Sequence, residues 1–326
     1  MKRRDFILVA GAAGVWPRAA FGQAATPVIG YLHPGSASER AHLVEAFRKG
    51  LAETGYVEGH NVAVEYVWAN NDPQRFAELL AEFVRRRTAV IVTPIGTASA
   101  LAVKRATSTI PVVFSIGTDA VKAGLIVSYS RPGGNLTGVG GMVSELGGKR
   151  VELLLELRPQ ARRIALLANP NNPLAVETSL KDIRDVVAAK GIELDVVHAR
   201  DTREISTAFD TLMQKRIEGL IISPDPLVGS HRTQLALLSA RHRIPTVYPL
   251  RDFAVAGGLV SYGPDDADRY RLVGVYAGRV LKGEKPADMP VQQPTKFQLV
   301  INLQTARTLG IAIPPTLLAR ADEVIE

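Results

Sequence analysis

From residue 28 onward, short apolar runs rich in β-branched residues alternate with stretches whose apolar positions recur every three or four residues. Val28–Leu32, Val62–Trp68, Ala89–Thr93 and Val112–Ser115 form a first set of predicted strands. Ile164–Ala168, Leu194–His198, Gly219–Ser223 and Thr246–Tyr248 form a second. Most are continuous apolar runs rather than strict alternations, the pattern of parallel strands covered on both faces. Helical spacing fills the gaps at Ser38–Glu53, Pro73–Arg86 and Leu174–Lys190, and returns at Asp265–Lys282. Strand-then-helix alternation of this kind predicts a doubly wound α/β architecture.

The two sets match in order. "VIGYLHPGSASER" pairs with "IALLANPNNPLAVE", and "AVIVTPIGTASALAV" with "GLIISPDPLVGSHRTQL". "IPVVFSIGTDAVKAGLIVSY" pairs with "IPTVYPLRDFAVAGGLVSY" at an offset of about 134 residues. Two similar lobes follow, predicted as 25–137 plus 264–284 and 138–263 plus 285–326. "RPGGNLTGVGG", residues 131–141, has the Pro and paired glycines of a hinge, and its alternation after Asn135 suits a crossing strand. "FQLVINLQTARTLGI" reads as a strand running into a short helix that crosses back between the lobes.

Residues 1–24 are set apart from this pattern. Lys2, Arg3 and Arg4 precede about ten apolar or small residues, Phe6 to Val15, and then small residues suited to a signal peptidase. The paired arginines match a twin-arginine export signal, so a periplasmic location is expected. Removing residues 1–22 takes out four basic side chains and one acidic, which lowers the formal charge of +7 by three. No dense basic cluster with interleaved aromatics remains, which argues against a nucleic-acid partner. The chain has no cysteine, so disulfides, thiol nucleophiles and thiolate metal ligands are excluded. No dinucleotide fingerprint, nucleophile elbow or metal-ligand histidine spacing is present, and no cofactor is expected.

In open α/β sheets ligands bind beyond the carboxyl ends of the strands, which here means the gap between two lobes. The strand-end loops are small and polar. The first carries Ser36 and Ser38, one of which caps the following helix. The next candidates are Thr93, Gly96 and Thr97, where a Gly-Thr pair ahead of a helix offers N–H groups and a hydroxyl to a carboxylate or simply caps the helix. Ser115, Thr118 and Asp119 follow: the hydroxyls suit a carboxylate, and the aspartate either faces an ammonium or caps a turn. In the second half the candidates are Asn169, Asp225 and Tyr248. Asn172 before Pro173 reads as a helix cap. Asp225, held between two prolines, either receives a ligand amine or stabilises a turn. Tyr248 packs against a ligand, the rim or the core. His33 is a rim residue rather than a catalyst on this reading.

The leader, "FRKGLAETGYVEGHNVAVEY", "RPGGNLTGV", "KRVELLLELRP" and "VINLQTARTLGIAIPPTLLARADEVIE" together resemble the periplasmic substrate-binding proteins of bacterial ABC transporters, a family with TrpX-like and other amino-acid-binding members. The resemblance spans nearly the whole chain after the leader. It implies a type I periplasmic-binding-protein fold, two Rossmann-like lobes with parallel sheets joined by three crossings. It also implies a small-molecule ligand, an amino acid or small carboxylate, delivered to an ABC permease, and no enzymatic activity. A ligand sensor docking to a signalling receptor and an exported α/β enzyme are the alternatives.

Overall fold

The computed structural model describes residues 26–37 and 41–326. The predicted export segment and Ser38 lie outside the described residues. Two parallel sheets carry the fold. The first holds β1 (Val28–His33), β2 (Ala63–Trp68), β3 (Val90–Thr93), β4 (Val112–Ser115) and β5 (Leu136–Val139), in the order β2-β1-β3-β4-β5. α1 (Ala41–Glu53), α2 (Pro73–Arg86) and α3 (Thr97–Ala106) connect its strands. The second sheet holds β6 (Arg163–Ala168), β7 (Glu193–His198), β8 (Gly219–Ile222), β9 (Thr246–Tyr248), β10 (Val260–Pro264), β11 (Phe297–Asn302) and β12 (Glu323–Ile325). Its order is β12-β11-β10-β9-β8-β6-β7, with β11 antiparallel to β10. α4 (Gly147–Leu157), α5 (Pro173–Lys190), α6 (Thr202–Gln214), α7 (Pro226–Ser230), α8 (Arg232–Arg241) and α9 (Arg251–Val255) pack around it.

Local chemistry explains the helices. Asp72 accepts from the N–H groups of Gln74 (2.8 Å) and Arg75 (3.2 Å), and Pro73 fills the first turn of α2; this satisfies donors that a helix start leaves orphaned. Phe76, Leu80 and Phe83 then bury one face of α2 against Leu32, Ile91 and Phe114. On the opposite face of the sheet, Ile29, Tyr31, Val90 and Val92 meet Phe47 and Leu51 of α1.

α10 (Asp266–Leu281) returns from the second sheet to lie on α1. The two helices approach backbone to backbone. A Cβ on Gly274 would sit 2.1 Å from the Phe47 carbonyl oxygen, so only glycine permits this packing.

The exchange between lobes falls later than the expected boundaries. β5, which includes Gly138 and Val139, pairs with β4 in the first sheet. Residues 285–292 also lie against the first sheet: Thr137 Oγ1 donates to the Met289 carbonyl (2.9 Å), and Gln292 bridges to Val139. The repeat diverges here too. Val260–Tyr262 is strand, whereas its counterpart Ile126–Ser128 is buried or exposed loop and the fifth strand forms ten residues later.

Three segments cross between the lobes, near residues 140–143, 265 and 293–296. The Asp265 N–H donates to the Lys296 carbonyl (3.0 Å), pairing the second and third. Arg150, wholly buried on α4, donates from Nε to the Tyr262 carbonyl and from Nη2 to the Val143 carbonyl, both at 2.9 Å. Burial pulls its pKa down to about 9, partly offset by Asp182, and it stays protonated at neutral pH.

Candidate functional site

Loops from the carboxyl ends of the two sheets meet. Ser230 Oγ donates to Asn71 Oδ1 (3.2 Å), and His42 Nε2 stands 3.4 Å from Asp252 Oδ1. Gly96, with φ +97°, lies so close to the second lobe that a Cβ there would be 3.4 Å from Pro226 Cγ. A groove of about 1280 Å³ opens along this seam. Its first wall is the apolar valley between α2 and α3, and its second comes from Asn169 to Leu174 and Asp225 to Leu227.

The first-lobe candidates gather at the strand ends. Thr97 Oγ1 and Thr118 Oγ1 share a hydrogen bond of 2.8 Å, which ties the start of α3 to the loop after β4. Gly96 caps α3 without any side-chain bond. Thr93 is wholly buried, and its hydroxyl has no partner. Ser115, also wholly buried, accepts from Arg269 Nη2 (2.8 Å). Ser36 is half-buried in the loop after β1. Asp119 acts as a turn cap: Oδ1 accepts from the N–H groups of Val121 (2.8 Å) and Lys122 (3.0 Å).

In the second lobe one expectation is revised and another is overturned. Asp225 does stand at the seam, but both of its oxygens are engaged. Oδ1 accepts from Asn169 Nδ2 (3.0 Å) and the Leu227 N–H (2.9 Å), and Oδ2 accepts from Asn172 Nδ2 (2.9 Å). Asn172 therefore spends its side chain on Asp225 and makes no capping bond to α5. Tyr248 is a core residue. It is wholly buried, stacked on Phe253 at 5.1 Å, and donates its hydroxyl to Ser239 Oγ (2.9 Å). Burial pushes its pKa up to about 12. The side chains of β9 alternate, so Val247 faces α4 and α5 while Tyr248 faces the opposite core. His33 is likewise interior: Nδ1 accepts from the Gly35 N–H (2.9 Å), and its ring lies 4.7 Å from that of Trp68.

Sequence reasoning missed Arg269, Ser223 and Ser144. Arg269 is 4% exposed, bonds Asp266 through Nη1 (2.6 Å), and leaves Nε without a hydrogen-bond partner. The Ser223 and Ser144 hydroxyls are buried without partners as well. Each such group costs about 1–3 kcal/mol unless something pairs with it. Ser223 was readable as the last residue of a predicted strand. Arg269 was hidden because it sits on a helix whose pattern only announces packing.

Two open α/β lobes, joined by three crossings and touching at their strand-end loops, define a two-lobed solute-binding protein. The comparisons with known proteins agree. Residues 33–325 match the ABC transporter substrate binding protein family model, and the chain belongs to that family, which is non-enzymatic. A tyrosine-binding protein of Clostridioides difficile is 28% identical over 271 residues, covering 82% of this chain and 76% of that one. The ABC domain of Streptococcus pneumonia in complex with L-Trp superposes with a TM-score of 0.84 at 26% identity, covering 92% of this chain and all of that one. A conserved domain protein of Vibrio cholerae gives 0.83 at 27% identity, covering 92% and 99%.

Proposed function

We propose that this protein captures an amino acid, with aromatic amino acids the foremost candidates, in the interlobe cleft and delivers it to an ABC permease. The observation that carries this reading is the set of buried, unpartnered hydroxyls at strand ends of both lobes, Thr93 and Ser223, beside the paired hydroxyls of Thr97 and Thr118. A polar ligand that touches both lobes would supply the partners these groups lack. The ligands named for two relatives, tyrosine and L-Trp, supply the class.

The carboxylate of the amino acid meets the hydroxyls and N–H groups around Thr97 and Thr118. Only a molecule held by both lobes favours the closed arrangement, so closure itself selects the ligand. Residues 1–24 export the chain to the periplasm by the twin-arginine route. The test is a thermal-shift and calorimetric screen of the amino acids on ligand-free refolded protein. Stabilisation should grow as RT ln(1 + [L]/Kd) for L-Trp, L-Tyr or L-Phe. No shift with any amino acid defeats the reading.

A further inference from the structure

We infer that Glu145, on the turn that follows the first crossing and packs on the Gly117 loop, receives the ammonium group of the ligand; this rests on the amino-acid reading above. Glu145 lies on a short 3-10 turn, Ser144–Leu146, between the first crossing and α4. That turn is pinned against the first lobe. The N–H groups of Val143 and Ser144 both donate to the Gly117 carbonyl, at 3.2 and 3.1 Å, in the loop that carries Thr118 and Asp119.

The nearby backbone N–H groups of Met142 and Glu145 favour the charged carboxylate, but its Oε2 is buried and has no hydrogen-bond partner. Ser144, on the same turn, is wholly buried with its hydroxyl also unpartnered. The titratable groups facing the carboxylate are Asp119, Lys122 and the Tyr129 phenol from the first lobe and Arg150 from α4. Asp119 opposes the negative charge, and the two cations make no hydrogen bond to Oε2. A buried carboxylate oxygen without a hydrogen-bond partner, facing a second carboxylate, is a disfavoured arrangement for the empty protein. A primary ammonium brings three donors and a positive charge to the spot.

The other carboxylates at the seam do not compete. Asp225 already accepts three hydrogen bonds, Asp119 Oδ1 caps its own turn, and Asp252 Oδ1 stands 3.4 Å from His42 Nε2. Burial raises the Glu145 pKa, and an adjacent ammonium opposes that rise. The ionised form therefore binds the amino acid, and affinity should weaken as pH falls through the raised pKa.

The experiment is calorimetry with L-Trp, L-Tyr and 3-(indol-3-yl)propionate, which lacks only the amino group of tryptophan, on wild type and Glu145→Gln. Wild type should bind an amino acid at least about tenfold more tightly than the des-amino acid. Glu145→Gln should lose about tenfold or more for the amino acid and stay within about twofold for the des-amino acid. Its ligand-free melting temperature should be unchanged or higher, because a buried, poorly paired charge is removed. If the variant does not fold, the wild type still decides: amino-acid affinity must weaken relative to that of the des-amino acid as pH is lowered from neutrality through the raised carboxylate pKa. Equal amino-acid affinity in wild type and Glu145→Gln, or a flat pH profile in wild type, overturns the inference. If wild type binds neither L-Trp nor L-Tyr, the comparison is made with the amino acid that the screen identifies and its des-amino analogue; binding of no amino acid by wild type instead defeats the amino-acid reading, and is told apart because it does not depend on position 145.

Discussion

Asp225→Ala separates a binding role from a structural one. The aspartate caps α7 through the Leu227 N–H and holds the side-chain amides of Asn169 and Asn172, at 2.9 to 3.0 Å. Losing a helix cap costs about 1 kcal/mol. Each amide left without its carboxylate acceptor costs about 1 kcal/mol more, since water reaches this half-buried site only in part. The total is about 3 kcal/mol. For a protein of this size each kcal/mol moves the melting temperature by about 2–4 °C, so the ligand-free protein should melt about 6–12 °C lower. Differential scanning calorimetry on stripped protein measures this. Asp225→Asn, which keeps one acceptor, should fall between wild type and alanine. A ligand-free melting temperature within about 2 °C of wild type for Asp225→Ala would refute the reasoning and return the residue to the role of a free ligand contact.

Four other outcomes are expected. Gly96→Ala forces a side chain into a left-handed conformation and into the contact with Pro226; stability should drop by about 1 kcal/mol and ligand affinity should fall, measured by calorimetry, while unchanged affinity would contradict the closed contact. Tyr248→Phe removes the bond to Ser239 and should cost about 1 kcal/mol in urea unfolding with ligand affinity unchanged; a loss of affinity would place the residue back in the cleft. Arg150→Met leaves two interior carbonyls unpaired and should destabilise by about 2–4 kcal/mol, and a neutral result would mean the carbonyls find other partners. Asp195 has its pKa held below the ordinary carboxylate value by Lys215 first and then Arg163. Its contribution to stability is therefore present above the ordinary carboxylate range and disappears as pH falls through the depressed pKa, so Asp195→Asn should flatten the acid limb of a melting-temperature profile. An identical limb in the variant would assign the acid loss to other groups.

Much of the fold was legible because parallel strands buried on both faces leave a plain mark. All eight predicted strands form, six with one end moved by a single residue and two with the predicted ends. The lobe exchange was not legible: "LTGV" alternates like a crossing segment, yet it closes the first sheet, and the Pro-rich stretch at 286–292 gives no sign that it returns to that sheet. At the site, loop position was readable but side-chain direction was not. Tyr248 shares its strand end with polar neighbours, and only the sheet's register reveals that it points inward. Thr97 and Thr118 were both named from local chemistry, whereas their mutual bond depends on a contact 21 positions apart. Orphaned polar atoms such as those of Ser144 and Arg269 leave no trace in a sequence pattern, because being unpaired is a property of the surroundings.

The grip of Arg150 on the carbonyls of Val143 and Tyr262 has a mechanical corollary. It fastens the end of the first connector to β10 of the second lobe, while the Val143 and Ser144 N–H groups hold the same stretch to the Gly117 carbonyl of the first. That connector is thus clamped from both sides like a rivet through two plates, and amide exchange at Val143 and Ser144 should be slow for a loop.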